Sequence, residues 1–278
     1  MDAESAGFLN NAAGIAPTNA YARHTLETVP RIELHGAAFA AITERECVQT
    51  ILEQLDARHG GWVITMNLDY LRRFVSEPTF ADAAAHADLI VADGMPLIWA
   101  SRLQNTPLPE RVTGSSLIWS LSDAAGKRGH SVFLLGGSGS SAQRTAERLR
   151  GAYPHFHLAG VHAPPFGFEN RPSEVEMVRL AIEQAQPDIV FVALGAPKEE
   201  KIIELLRTVV PRAWCIGVGI SFSWVAGYLP RAPRWMQQAG LEWLHRLAYE
   251  PRRLMRRYLI DDLPFAARLF AHVLRQRK

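Results

Sequence analysis

The sequence is poor in cysteine and has no long apolar run. Its 278 residues include only two cysteines, Cys47 and Cys215. Two are too few for a disulfide framework or a four-cysteine zinc site. No stretch approaches the ~18 consecutive apolar residues that a membrane-spanning helix needs. The first residues lack the basic and apolar regions of a secretory signal peptide. These absences together predict a protein of the reducing cytoplasm.

Motifs of several large enzyme classes are absent as well. The chain has no Walker lysine motif, no G-x-S-x-G elbow, no H-E-x-x-H and no paired-cysteine metal signature. It also has no Asp-x-Asp, a pair of carboxylates that could hold a divalent cation. We therefore predict no metal site and no cofactor.

The basic residues are concentrated at one end of the chain. The formal net charge is only +2, but residues 229–278 carry +7 and the remainder carries −5. Apolar side chains recur at helical spacing in this basic segment, with arginines between them. We expect a basic amphipathic helical appendage over residues 229–278, which would dock on an anionic membrane surface.

Short apolar runs alternate with helical patterns through residues 31–228, which predicts repeated βα units. Residues 1–30 are polar and without period, and we expect a flexible leader there. The predicted strands cover residues 62–66, 89–92, 132–135, 158–162, 189–194 and 214–218. The predicted helices cover 45–57, 68–75, 78–86, 95–104, 115–127, 140–152, 173–186 and 197–209. Continuous apolar strands are typical of a parallel sheet buried on both faces. The expected fold is therefore α/β, a Rossmann-like, mostly parallel sheet with helices on both faces.

Three helix starts carry the capping-box pattern, in which a Ser or Thr and a Glu or Gln three residues later exchange hydrogen bonds with the backbone. They begin at Thr43, Ser140 and Ser173.

Polar and glycine-rich residues follow the predicted strands, at the sheet edge where parallel sheets bind ligands. Asp93 comes directly after the apolar strand 89–92. A partly buried carboxylate at that position suits a general base, because burial raises its pKa toward neutral pH. The alternative is that Asp93 caps the following helix.

A glycine-rich turn, residues 136–140, joins a predicted strand to a predicted helix and could hold a phosphate. It fits the loose dinucleotide fingerprint G-x-G-x-x-A, so an NAD(P)-dependent oxidoreductase is one alternative function. The next strand ends without the acidic residue that binds an adenosine ribose, which counts against NAD. A simple tight turn is the other reading.

Trp99, Trp119 and Trp224 lie in apolar helical contexts that predict packing roles.

Seven ordered motifs resemble those of the WecG/TagA/CpsF family of bacterial glycosyltransferases. They are Thr65-Met66-Asn67, Ala92-Asp93-Gly94-Met95-Pro96, Arg111-Val112-Thr113-Gly114, Phe133-Leu134-Leu135-Gly136-Gly137, Pro164-Pro165-Phe166-Gly167-Phe168, Ala193-Leu194-Gly195-Ala196-Pro197-Lys198-Glu199-Glu200, and Arg231-Ala232-Pro233 followed by Gly240-Leu241-Glu242-Trp243-Leu244-His245-Arg246-Leu247. The likeness runs from about residue 32 to about residue 258.

This resemblance implies an inverting, metal-independent transfer of a hexose or N-acetylhexosamine. The donor would be a UDP-sugar and the acceptor a sugar linked to undecaprenyl diphosphate, at the cytoplasmic face of the cell membrane. Asp93 would be the catalytic base, with Thr65 beside it and Arg246 acting on the diphosphate, and the basic segment, residues 229–278, would close the active site. The expected substrate-binding residues are Asn67, Gly94, Gly136, Gly137, Ser138, Gly195, Pro197, Glu199, Arg253 and Arg256.

Two positions depart from the family pattern. Glu199 stands where the family usually has Gln, and Ser223 follows Phe222 where it usually has Asp. Either change could alter donor choice, so no particular sugar is predicted. A non-enzymatic module that binds anionic lipid or nucleic acid through the basic segment is a further alternative, and the helical spacing of its apolar side chains favours lipid. Nucleic acid is not an expected partner, whereas a homo-oligomer is compatible with the sequence.

Overall fold

The six predicted strands form one parallel sheet in the computed structural model. The structure describes residues 26–276, without the side chains of Arg234, Gln238, Arg253 and Gln276. The strands are β3 (Gly61–Met66), β4 (Leu89–Ala92), β5 (Ser131–Gly136), β6 (His157–His162), β7 (Ile189–Ala193) and β8 (Trp214–Gly217). Their order is β4-β3-β8-β7-β5-β6, and every neighbouring pair is parallel. The strand predictions are confirmed to within one residue at each end.

A short antiparallel hairpin precedes this sheet and was not predicted. It consists of β1 (Arg31–Leu34) and β2 (Ala37–Ala40), joined by a two-residue turn. The predicted leader, residues 1–30, lies mostly outside the described residues, although Leu26 and Val29 pack against the core.

All eight predicted helices are present, each within one residue of its predicted ends. They are α1 (Glu44–Asp56), α2 (Leu68–Ser76), α3 (Pro78–Ala85), α4 (Met95–Leu103), α5 (Gly114–Lys127), α6 (Ser141–Ala152), α7 (Pro172–Ala185) and α8 (Lys198–Val209). A 3₁₀ turn, Phe168–Asn170, precedes α7.

One capping box is confirmed and two are wrong. At α1 the Thr43 hydroxyl accepts from the Glu46 N–H, and the Glu46 carboxylate accepts from the Thr43 N–H. The Ser140 side chain instead contacts the Tyr228 hydroxyl and makes no cap bond. Ser173 lies inside α7, because Pro172 takes the first helical position, which suits its fixed φ.

Alternate residues of the strands face two apolar layers, and helices cover both. Ile64 and Ile90 face one layer, whereas Val63 and Val91 face the other. The expected Rossmann-like architecture is therefore present. A sheet covered on both faces holds the carboxyl ends of its strands rigidly, which fixes the residues that follow them.

The basic C-terminal segment is helical. It follows α9 (Ser221–Val225) and contains α10 (Arg234–Gln238), α11 (Glu242–Tyr249), α12 (Pro251–Met255), a π-helical turn (Arg256–Asp262) and α13 (Leu263–Gln276). The last helix packs against α4, and its Phe265, Leu269 and Val273 are buried in the core layer that contains Ile64. Within residues 26–276, no helix is both long and apolar enough to cross a bilayer.

Candidate active site

Asp93 lies at the carboxyl end of β4, half-buried, and does not cap the helix that follows it. The cap position of α4 is Gly94, without a side-chain bond. The Asp93 Oδ2 instead accepts from the Gly114 N–H at 3.3 Å, across the sheet edge at the start of α5. Burial raises the pKa of Asp93 to about 6, against the opposing effect of nearby Arg111. A carboxyl group with that pKa can take up a proton near neutral pH.

Charged groups surround Asp93 on its open side. Arg111 Nη1 lies 2.7 Å from Glu242 Oε2, and Arg231 Nε lies 3.8 Å from the other Glu242 oxygen. The Arg111–Glu242 pair connects the core to α11, the helix that carries Arg246. The basic segment is therefore fixed over the carboxyl end of β4.

Arg246 contributes a cation that is not neutralised within the described part of the chain. Its guanidinium carbon lies 5.0 Å from the centre of the Trp224 ring, a cation–π contact. Its Nε is buried without a hydrogen-bond partner. A buried guanidinium donor without an acceptor is costly, and an anionic ligand would satisfy it.

These groups, with the exception of Arg231, line one pocket of about 350 Å³. Of the residues predicted for the site, Asp93, Arg246, Asn67 and Gly94 line it. Asn67 also caps α2, because its Oδ1 accepts from the Tyr70 N–H at 3.1 Å. A carboxyl group with a raised pKa and an arginine without an ion-pair partner among the described residues thus share a concave site of the size that binds small molecules.

Thr65 lies beneath this pocket rather than in it. Its side chain is buried, and its hydroxyl donates to the Gly217 carbonyl at 2.9 Å. Gly114 passes directly above, where an added Cβ would lie 3.3 Å from the Thr65 hydroxyl and 3.0 Å from Val218 Cα. Thr65 therefore supports the backbone whose N–H group binds Asp93.

Glu199 is buried and connects the ends of two strands. Its Oε2 accepts from the N–H groups of Leu194, Gly195 and Gly219 at 3.1, 3.2 and 3.1 Å. The Tyr70 hydroxyl donates to the other oxygen at 3.4 Å. Burial raises the pKa of Glu199, and burial together with Glu199 raises that of its neighbour Glu200. The Glu199 carboxyl group does not line the pocket.

The residues predicted at the carboxyl ends of β5 and β7 lie outside the lining of this pocket: Gly136, Gly137, Ser138, Gly195 and Pro197. The Gly137 N–H donates to the Ala193 carbonyl at 2.8 Å, and the Ser138 N–H donates to the Ser141 hydroxyl at 2.9 Å. The first N–H is thus bonded to the end of β7 and the second to the start of α6. A substrate-binding role for these residues stays a prediction.

Of the two remaining predicted arginines, only Arg256 has a described side chain. Arg256 is exposed and does not line the pocket, and the side chain of Arg253 lies outside the described residues. Arg257 lines the pocket instead. Its guanidinium lies 3.3 Å from Asp69 Oδ2 and 3.5 Å from Asp262 Oδ2, both buried carboxylates.

Several lining residues were not predicted for the site, among them Arg111, Trp99, Trp224, Glu242 and Arg257. Arg111 and Glu242 lie inside motifs that resemble those of the glycosyltransferase family, and this position was the sequence signal for a role at the site. Trp224 was predicted only to pack, but its ring contacts the Arg246 guanidinium in the pocket. Trp119 packs edge-on against Tyr153, as its predicted packing role requires. No cluster of three or more His, Cys, Asp or Glu with metal-binding geometry occurs among residues 26–276.

Comparison with known proteins identifies the family. The profile described as "Glycosyl transferase WecG/TagA/CpsF family" matches residues 32–278. The chain belongs to the WecG/TagA/CpsF glycosyltransferase family. It is therefore an enzyme that transfers a sugar, and this finding decides against the oxidoreductase alternative and the non-enzymatic one.

Two similar members of the WecG/TagA/CpsF family come from Bacillus. The chain is 28% identical to a Bacillus subtilis (strain 168) protein over 232 residues, which are 84% of this chain and 86% of the relative. It is 32% identical to a Bacillus spizizenii (strain ATCC 23059 / NRRL B-14472 / W23) protein over 202 residues, 73% and 76% of the two chains. Both relatives are named N-acetylglucosaminyldiphosphoundecaprenol N-acetyl-beta-D-mannosaminyltransferase.

Proposed function

We propose that this glycosyltransferase moves a hexose or N-acetylhexosamine from a UDP-sugar to a sugar carried on undecaprenyl diphosphate, with inversion at the anomeric carbon. The observation that carries the proposal is the shared pocket of Asp93 and Arg246. The names of the two Bacillus relatives support the acceptor class. The reaction would build a bacterial surface or extracellular polysaccharide.

Asp93 acts as the general base in this reaction. Its carboxylate takes the proton of the acceptor hydroxyl while that oxygen forms a bond to the anomeric carbon. The bond from this carbon to the UDP oxygen breaks on the opposite face, so a single displacement inverts the centre. The pKa of about 6 leaves most of Asp93 ionised at neutral pH and still basic enough to accept the proton.

Arg246 stabilises the departing diphosphate. Negative charge accumulates on the UDP oxygens as the bond breaks, and a guanidinium is planar, permanently charged and suited to bidentate binding of such oxygens. The unpartnered Nε of Arg246 offers one donor for this. Arg111 lies near Asp93 as well, although Glu242 already balances its charge.

Membrane docking by the basic segment belongs to the same proposal. The exposed side chains Trp243, Leu244, Met255 and Ile260 lie on the helices that carry Arg246 or follow it. Exposed apolar residues among arginines favour the surface of an anionic bilayer. Docking there would bring Arg246 to the level of a lipid-linked diphosphate, at the inner face of the membrane.

The test is a reconstituted transfer assay. The full chain is incubated with a panel of UDP-sugars and with N-acetylglucosamine on undecaprenyl diphosphate, and UDP release and product are measured. We expect one UDP-sugar to be consumed with formation of a disaccharide lipid of inverted anomeric configuration, determined by NMR. Absence of product with every UDP-sugar, or retention of configuration, contradicts the proposal.

A further inference from the structure

The pocket that contains Asp93 has an apolar half that sugar transfer does not use. Its walls are Met95 and Trp99 from α4, Leu259 from the π-helical turn, and Leu263, Ala266 and Phe270 from α13. Sugars and diphosphates are polar, so the reacting parts of both substrates gain little from this surface. A ligand with an apolar portion would gain binding free energy by burying that portion against this surface.

This apolar half continues to the surface of the protein. Leu263 is 61% exposed and Leu259 is 46% exposed, and Ile260 beside them is 66% exposed. Neighbouring exposed apolar side chains of this kind mark a site for an apolar partner more often than isolated ones do. The apolar path therefore runs from solvent inward to the catalytic carboxylate.

Two arginines lie where this path meets the polar half of the pocket, of which Arg257 is ion-paired with Asp69 and Asp262 and Arg246 is not ion-paired within the described residues. Arg257 lines the pocket there, with its Nη2 3.4 Å from Asn67 Oδ1, and Arg246 lies on the Asp93 side. A molecule with a diphosphate between a sugar and a hydrocarbon chain matches this sequence of surfaces. Each portion would meet the chemistry that suits it.

We propose that the apolar half of the pocket, between α4 and α13, binds the first isoprenyl units of the acceptor lipid. This inference rests on the proposed function, in which the acceptor is a polyprenyl-diphosphate-linked sugar. A pocket of about 350 Å³ is far too small for a whole undecaprenyl chain, so the remaining units would leave over Leu259, Ile260 and Leu263 toward the bilayer. The protein would thereby hold the diphosphate and its sugar at a fixed distance from Asp93.

The occupant is an isoprenyl chain rather than bilayer in general because the site is concave and continuous with the catalytic pocket. A flat bilayer surface contacts exposed side chains such as Ile260, but it does not enter a cleft beside Asp93. Residues 1–25 or a second copy of the chain are the other possible occupants of this cleft, and the experiments below distinguish them from an isoprenyl chain.

The first experiment measures binding without catalysis. Farnesyl diphosphate and inorganic diphosphate are titrated into the full chain by calorimetry, with Ala266→Trp and Ala267→Trp as variants. Ala266 lines the cleft, whereas its neighbour Ala267 is exposed and does not line it, which makes a matched control. We expect farnesyl diphosphate to bind at least ~10-fold more tightly than inorganic diphosphate, the effect of burying about two methylene groups. Ala266→Trp should abolish that difference and Ala267→Trp should keep it.

A second pair of variants covers the case in which Ala266→Trp fails to fold. Leu263→Gln changes an exposed residue of the cleft, and Leu274→Gln changes an exposed residue elsewhere on α13. Only Leu263→Gln should raise the KM for the polyprenyl acceptor, and neither should change the KM for the same sugar diphosphate with a methyl tail. Binding of anionic vesicles by Ala266→Trp should equal that of the wild type.

The failures are distinguishable. Equal affinity for farnesyl and inorganic diphosphate in an active enzyme overturns the isoprenyl site and leaves the proposed function intact. A second outcome is equal affinity in the full chain, but preferential binding of farnesyl diphosphate after deletion of residues 1–25 or after dilution to a monomer. That outcome shows that the chain itself covers the cleft, and it also overturns the isoprenyl site. Tight farnesyl diphosphate binding in a protein that transfers no sugar supports the isoprenyl site and contradicts the proposed function.

Discussion

Replacement of Glu199 by alanine should destabilise the protein and disturb the site above it. The side chain accepts three backbone N–H groups, from Leu194, Gly195 and Gly219, with one oxygen. Each part-buried donor left without an acceptor costs ~1 kcal/mol or more, so Glu199→Ala should lower the free energy of unfolding by about 3 kcal/mol. Glu199→Gln keeps an acceptor oxygen in place and should change it by less than about 1 kcal/mol.

The pH dependence of stability gives a second, independent readout. Because burial raises the pKa of Glu199 and of Glu200, the folded state retains protons that the unfolded state has already lost above the ordinary glutamate value of 4.5. Stability should therefore fall as the pH rises from that value through the raised folded-state pKa values. Glu199→Gln removes one of the two groups, so its stability should depend less on pH.

Urea unfolding followed by tryptophan fluorescence at pH 6 and pH 8 measures both effects. Glu147→Gln, on the exposed face of α6, is the matched control and should behave as the wild type. An alanine variant as stable as the wild type, or an unchanged pH dependence in Glu199→Gln, would refute the strand-connecting role.

Asp93→Asn should lower kcat ~10²–10⁴-fold with fold and UDP binding retained, and transfer by this variant within about threefold of wild type contradicts the assignment. Wild-type activity should rise with pH through about 6, because Asp93 ionises there. Arg246→Ala should lower kcat ~10²-fold or more, with partial recovery in Arg246→Lys, and an unchanged kcat would exclude a role at the leaving group. Transfer should survive excess EDTA, whereas loss that Mg²⁺ or Mn²⁺ restores would show a metal requirement. The double variant Leu244→Gln/Ile260→Gln should sediment less with anionic vesicles than the wild type, most clearly at high salt. Met177→Gln, at an exposed residue of α7, is the control and should sediment as the wild type does. Equal binding by the wild type, the double variant and the control would refute membrane docking. Point variants serve better than truncation here, because the last helix supplies part of the core.

Local patterns in the sequence were sufficient for the six strands and eight helices of the core, and they offered Asp93 as a general base or a helix cap, of which the family resemblance favoured the base. Strand β4 was predicted with its observed ends, since a buried parallel strand must be apolar throughout and is bounded by polar residues. Asp93 follows that strand, and the ends of parallel strands meet at one edge of the sheet. Its nearness to the sheet edge therefore followed from chain order alone. The hairpin β1–β2 was missed because two four-residue strands carry too little periodicity.

The tertiary structure decided which side chains meet Asp93. The family resemblance indicated Arg256, whereas Arg257, its neighbour at the start of the π-helical turn, lines the pocket, because which side of a helix faces the pocket is set by its packing on the rest of the chain. Glu199 was expected beside the substrate and is instead hydrogen-bonded to strand ends, since its direction depends on how α8 packs against β7 and β8.

The sequence by itself determined the order and kind of the elements, because each residue's preference for helix or strand and its capping bonds act within a few neighbours along the chain. The composition of the pocket depends on contacts between residues far apart in the chain, such as Arg111 with Glu242 and Arg246 with Trp224. Those contacts arise from the sum of many weak packing interactions between elements, and no local pattern encodes that sum.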